Sequence, residues 1–463
     1  MLKRMPSPRR ARASTVTLVA ALACCSDGQL PSPETDVLQL PTGARLGPSG
    51  QRLLVANSNL DREFASGTLV SIDLAALEQG MAEPLAEDAT RSAARPCRRS
   101  SEVAGRLECE ASWLIEAEQT LRLPTGAGNI AADRPAGEDG PLRLLIPSSF
   151  AQTVTWIDVL PDPAGGLRFR CGQDGDGVCD DIHTLRFDDG GARLPQDPAR
   201  LVVDDQGFRF AYLPHLIGGA LTLIALDGGV GPKIVDIQGE FFLEDPFTES
   251  GLAGGYSVAQ RACDPANPPS DNRECSKPAL YASHRHWPGL RQFSIAIGLD
   301  LILAQSDVPL AAANPFSVVD RPFMGDLEFE DPQSGERLLA VHTTPPSLSR
   351  IDTSIDSDGA PRNETREVTS LCHYPNLLEV YRPEGREWLA FVSCYSEGKV
   401  AVVGLNAFSV IATIPTGEGA NELVVDAPRE RLYVVNTLES SIALVELDHL
   451  SPRFLEVLAV VGP

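Results

Sequence analysis

A chain of 463 residues that is 43% apolar and 22% charged has ample material for a packed core and too little charge for disorder. A formal charge of −24 makes nucleic acid a poor partner. Such acidity is compatible with calcium, with basic partners, or simply with solubility.

The chain starts with a segment unlike the rest. Lys3, Arg4, Arg9, Arg10 and Arg12 form a basic region, Thr15 to Ala23 a short apolar one, and Ala21-Leu22-Ala23 leads into Cys24. Residues 1–24 therefore read as an export signal. The placement of Cys24 resembles the lipobox of bacterial lipoproteins, in which that cysteine carries the lipid; a plain secretory signal cut elsewhere is the alternative. Residues 25–35 read as a linker and 36–463 as one domain. No later stretch reaches the ~18 apolar residues of a membrane helix. The expected location is the cell envelope, on the outer-membrane or periplasmic side, with membrane contact through the lipid alone.

From residue 52 onward a phrase recurs: RLLVANS at 52–58, RLLIPSS at 143–149, RFAYLPH at 209–215, ALYASHR at 279–285, RLLAVHT at 337–343, WLAFVSC at 388–394 and RLYVVNT at 431–437. Each copy is an apolar run closed by a polar residue, and most are soon followed by a second run such as TLVSIDL at 68–74. This is a sheet unit written seven times. Between the copies lie apparent insertions at about 76–118, 161–198, 240–277 and 355–370, rich in Pro, Gly, Asp and Ser.

Export changes how the cysteines are read. Beyond Cys24 and Cys25, eight remain, falling as Cys97 with Cys109, Cys171 with Cys179, Cys263 with Cys275 and Cys372 with Cys394. An even count in an oxidising compartment favours disulfides, and neighbour pairing suits hairpin geometry for the last two pairs. Within the second insertion, Gln173-Asp-Gly-Asp-Gly-Val-Cys-Asp-Asp181 alternates carboxylates with glycines. Such a loop can turn Asp174, Asp176, Asp180 and the Val178 carbonyl onto one Ca²⁺, the one cofactor the sequence suggests. It departs from a full calcium loop at Gly172 and His183, and a solvated turn pinned by Cys171 and Cys179 is the plainer reading.

Aligning the seven phrases on their closing polar residue gives Asn57, Ser148, Pro214, His284, His342, Ser393 and Asn436, with His215 one position later. Three consecutive units thus carry histidine near one face. If that strand end opens onto a central channel, His215, His284 and His342, with His286 nearby, are candidates for Zn²⁺ or Cu²⁺. The competing reading is that any polar residue serves there to cap the loop.

The last copy shows the whole unit. Residues 421–427, 431–436, 441–447 and 454–461 read as four antiparallel strands, and Arg431 lies 43 residues after Trp388, a propeller-blade period. The segments 410–417, 422–427, 431–436 and 441–447 closely resemble the YVTN-type β-propeller repeat, and Leu38-Gln-Leu-Pro-Thr-Gly43 and Leu121-Arg-Leu-Pro-Thr-Gly126 echo its outer-strand phrase. The resemblance implies an all-β, seven-bladed propeller of four-stranded antiparallel blades, commonly exported, with no shared catalytic residues. We expect the ring to be closed by pairing of the N- and C-terminal strands, which removes exposed edges.

No nucleophile elbow, zinc-protease helix or phosphate loop appears in the chain. The sequence points to a non-enzymatic envelope lipoprotein whose propeller is a rigid binding or scaffolding platform for a protein or surface polymer. A metal-assisted hydrolase or lactonase, with its site at the channel mouth, is the alternative; a redox role lacks a haem-attachment sequence.

Overall fold

The computed structural model describes residues 30–86, 95–135, 140–162, 166–172, 177–242, 254–285, 287, 289–310 and 323–462. Seven sheets are arranged as blades, each with at least four antiparallel strands in chain order. Blade 1 begins with Pro41–Leu46 and blade 7 ends with Val457–Gly462. The first strand of each blade lies innermost, and those of blades 1 and 7 meet, so the ring is closed.

The continuous apolar phrases are explained by what covers them. All six residues of Arg52–Asn57 are buried. Because side chains alternate across a strand, Leu53 and Val55 enter the core shared with blade 7, while Leu54 and Ala56 enter the core shared with blade 2. Seven such clusters separate the seven blades. Each middle strand is buried on both faces, so polar alternation disappears.

Ring closure differs from the expectation. The two terminal strands do not pair: Pro41–Leu46 is innermost in blade 1, and Val457–Gly462 takes the outer position of blade 7 alongside Ser441–Glu446. The phrase at 38–40 is thereby displaced from any sheet. Leu38 is buried in the seam between blades 1 and 7, Gln39 N donates to Asn57 Oδ1 (3.0 Å), and Leu40 N donates to Ser440 Oγ (3.1 Å).

A strap from blade 1 reinforces this seam instead. After the third strand of blade 1, the helix Leu74–Ala82 starts where Asp73 accepts a hydrogen bond from Ala76 N (3.0 Å), and buries Leu74 and Leu77 in the seam. The chain then forms a hairpin, Cys97–Arg99 with Leu107–Glu110, before returning to blade 1 at Leu121–Leu123. Leu107–Glu110 pairs in parallel with Val457–Gly462, giving blade 7 a six-stranded sheet. The Cys97–Cys109 disulfide joins residues directly opposite in the hairpin.

The other three disulfides link the expected partners: Cys171 to Cys179, Cys263 to Cys275 and Cys372 to Cys394. The other three apparent insertions each contain one of a blade's own four strands. Leu167–Arg170 is the outer strand of blade 2, Gly255–Arg261 the inner strand of blade 4 and Glu364–Ser370 the outer strand of blade 5. An inner strand faces a polar channel and an outer strand faces water, so neither carries the apolar run that marks a middle strand.

Replacing both Cys97 and Cys109 with serine tests the strap. Stability should fall by about 3 kcal/mol, and hydrogen exchange should accelerate at the unmutated Val457–Gly462 amides. Unchanged exchange there would show that the strap does not support the seam.

Candidate functional site: the central channel

The inner strands bring polar residues from every blade to the ring axis. A belt of hydrogen bonds runs around it. Thr42 Oγ1 donates to Ala127 O (2.6 Å), Asn129 exchanges two bonds with Leu201 (2.8 and 3.0 Å), and Arg200 N donates to Tyr256 O (3.2 Å). Further round, Leu378 N donates to Asp326 Oδ2 (3.3 Å), Asn376 Nδ2 to Asn421 Oδ1 (3.4 Å), and Asn421 Nδ2 back to Thr42 O (3.4 Å). Close approach requires glycine in two places: a Cβ on Gly43 would lie 2.4 Å from Gly128 O, and one on Gly325 2.5 Å from Asn376 O.

Arg200 crosses the channel. From its place just before the inner strand of blade 3, it makes a bidentate pair with Glu422 of blade 7 (3.0 and 3.0 Å) and reaches Asp326 of blade 5 (3.3 Å). The partners' side chains are only 7% and 4% exposed, so this is a desolvated network. Burial alone would lower the pKa of Arg200, but Asp326 and then Glu422 outweigh it and hold the pKa well above its usual range. Burial nevertheless leaves Glu422 above the ordinary carboxylate range, even against the pull of Arg200. Asp326 also receives a short hydrogen bond from Ser257 Oγ, tying in blade 4.

Beside this network lies a cavity of ≈ 850 Å³ whose walls come from blades 1, 2, 3, 6 and 7. Arg45 and Glu379 both line it. A smaller cavity of ≈ 230 Å³ shares Arg200, Asp205 and Glu379 with the first and adds Asp326 and Glu328. Burial pushes Glu379 up to about 8. Burial, and then the neighbouring Glu379, hold Glu328 well above the usual carboxylate range. Arg45 is exposed to the channel, and the protein walls around it lower its pKa against the charges of Glu379 and Glu422.

The histidines sit elsewhere and apart. His215 is fully buried in blade 3, with Nδ1 on Gln196 O (3.0 Å) and Nε2 on Thr222 Oγ1 (2.9 Å). His342 of blade 5 bonds Ser349 Oγ through Nε2 (2.9 Å), and His284 of blade 4 packs edge-on against Phe242 and Trp287. Asn57 with Thr68 (2.9 Å) and Asn436 with Ser441 (3.1 Å) make the same bond to the start of the third strand. The polar residue closing each of these second strands therefore brackets its own hairpin. Among the described residues, the one group of potential ligands close enough to share a metal is Glu430, Asp448 and His449, on blade 7. His286 lies outside the described residues.

Of the calcium candidates, Asp174 and Asp176 fall outside the described residues. Val178 is partly exposed beside Arg122, and Asp180 accepts two hydrogen bonds from His183, at 3.0 Å from the amide and 2.6 Å from the ring. Both bonds fall on Oδ1. The hydrogen bond to the His183 ring, ahead of other causes, lowers the Asp180 pKa. Cys24 also lies outside the described residues.

Sequence reasoning missed the channel set of Arg45, Arg200, Asp326, Glu328, Glu379 and Glu422. A signal existed in two first strands, where Asn376-Leu-Leu-Glu379 and Asn421-Glu-Leu-Val424 align, but the shorter phrases in other blades hid the register.

No family model matches the chain, and no curated protein matches its sequence. Solved structures do. The β-propeller domain of Myceliophteria thermophila Cps50 (Swd1) superposes with a TM-score of 0.50 at 11% identity, covering 88% of this chain and 96% of that one. The chain is a β-propeller. A putative 6-phosphogluconolactonase from Bacteroides fragilis also superposes with a TM-score of 0.50, at 12% identity, covering 76% of this chain and 91% of that one. At such identities the likeness is one of fold alone.

The buried histidines of the propeller make its stability depend on pH. Burial lowers His215 and His342 from 6.5 to about 4. Protonation then favours the unfolded chain, so this contribution is intact above pH 6.5 and lost as pH falls toward 4, by about 3 kcal/mol per residue. His342→Gln should make the loss between pH 6.5 and 4 shallower in urea titrations. An unchanged slope would show that His342 is not buried neutral.

Proposed function

We propose that this chain is a YVTN-type propeller lipoprotein of the cell envelope, non-enzymatic, whose ring is a rigid binding platform for a protein or surface polymer. The observation that carries this reading is the channel: a concave, charged cavity of ≈ 850 Å³ assembled from five blades within a closed hydrogen-bonded belt. A cavity fixed by the whole ring can bind without rearranging, which limits the entropy cost of association. The four disulfides fit an oxidising compartment. No described helix is long and apolar enough to cross a membrane.

The test is saturable co-sedimentation of the purified chain with isolated envelopes, run beside a lactone-hydrolysis assay and elemental analysis of the dialysed protein. The expected result is binding to one envelope component, no hydrolysis above background, and calcium at one equivalent that is lost in Asp176→Asn. Metal-dependent turnover that disappears in His284→Ala would replace the platform with the hydrolase reading. Absence of calcium would remove the loop as an ion site.

A further inference from the structure

The channel contains a guanidinium and a carboxyl group whose side chains nothing in the protein joins. Arg45, on the inner strand of blade 1, and Glu379, on the inner strand of blade 6, both line the ≈ 850 Å³ cavity. Each feels the other's charge, yet among the described residues neither side chain makes a hydrogen bond or an ion pair. Most of the neighbouring charges are committed, the exceptions among the described residues being Asp205, which accepts only from its own amide, and one oxygen of Glu328. Arg200 holds Glu422 and Asp326, Arg209 holds Asp133 and Asp227, and Asp204 accepts from the Gln206 and Arg209 amides. Arg134 donates to Pro48 O (3.3 Å), and Glu328 accepts a backbone hydrogen bond from Val380.

We infer that the cavity binds a small zwitterion, a free amino acid or short peptide, with its carboxylate on Arg45 and its ammonium on Glu379. A guanidinium offers a carboxylate two parallel hydrogen bonds, and a carboxylate accepts an ammonium. The choice of a zwitterion follows from the walls. An anion alone would face Glu379, Glu422, Asp204 and Asp205, and a cation alone would face Arg45, Arg134 and Arg200. A neutral molecule carrying both charges meets Arg45 with its carboxylate and sets its ammonium on the acidic side of the cavity, where Glu379 and Asp205 lie. The volume falls within the range of small-ligand sites, about 300–1,000 Å³.

Proton balance gives a signature. Burial holds Glu379 up, to about 8, and a ligand ammonium stabilises its ionised form, so binding near pH 7 should release protons to the buffer. The Tyr256 hydroxyl accepts from Asn376 Nδ2 (2.8 Å), and burial raises it further out of the neutral range, so it stays protonated throughout.

This inference concerns the channel interior and is independent of which macromolecule the platform holds, since envelope co-sedimentation is read separately. Isothermal titration of the full chain with glycine, 4-aminobutyrate and glycylglycine tests it, in phosphate and in Tris at pH 7. At least one of the three should bind, with an observed heat that shifts between buffers as proton release requires. N-acetylation or methyl esterification of that compound should weaken binding by about tenfold or more, as should Arg45→Gln and Glu379→Gln, by the usual loss of one charged hydrogen bond. Both side chains lack protein partners, so both variants should keep the melting temperature; Arg45→Lys and Glu379→Asp supply charge-retaining controls. No binding by any zwitterion, equal binding of the blocked compounds, or unchanged binding by both neutral variants would overturn the inference.

Discussion

A single half-buried arginine ties together three blades that are not neighbours. Arg200 leaves blade 3, crosses the axis and engages Asp326 of blade 5 and Glu422 of blade 7. The apolar cores between blades act only between adjacent sheets, and each is satisfied by local packing. They set the spacing between sheets but do not determine where the inner edges converge. The Arg200 network, with the belt of Thr42, Asn129, Asn376 and Asn421, does so by requiring distant inner strands to meet at hydrogen-bonding distance. Removing one member leaves desolvated charges behind, which is why such networks tolerate little displacement.

The geometry of the channel follows from this constraint. With Arg200 holding two carboxylates, the remaining charges of the hub fall into an unequal arrangement: Arg45 open on one wall, Glu379 and Glu328 undercompensated on another. A network fully satisfied within itself would fill the axis and leave nothing to recognise. The propeller instead has a satisfied, load-distributing part and an unsatisfied part side by side. Stiffness and recognition are assigned to different residues of the same strands.

The architecture was legible because middle strands are covered on both faces, and RLLVANS and RLYVVNT carry that fact as unbroken apolar runs. The disulfide pairs were legible for a similar reason, since short spacings across hairpins restrict the choices. Inner strands carry no such mark. Gly255–Arg261 holds Tyr256, Ser257 and Gln260 because it faces a polar axis, and so it reads as loop. The histidines stand out in the sequence because three consecutive units carry one near the same strand end, yet His215 and His342 do what Asn57 and Asn436 do, closing a hairpin onto Thr222 or Ser349. Ring closure is not legible in the sequence, because the parallel pairing of Leu107–Glu110 with Val457–Gly462 joins segments about 350 residues apart and no local pattern encodes it.

The central claim is that the Arg200 bridge fixes the hub, and a double-mutant cycle on Arg200 and Glu422 by chemical unfolding addresses it most directly. Arg200→Met should cost about 3–5 kcal/mol, the usual penalty for stranding buried charges, and combining it with Glu422→Gln should recover a large part of that loss. A cost below about 1 kcal/mol for Arg200→Met, with strictly additive behaviour in the double variant, would contradict the account.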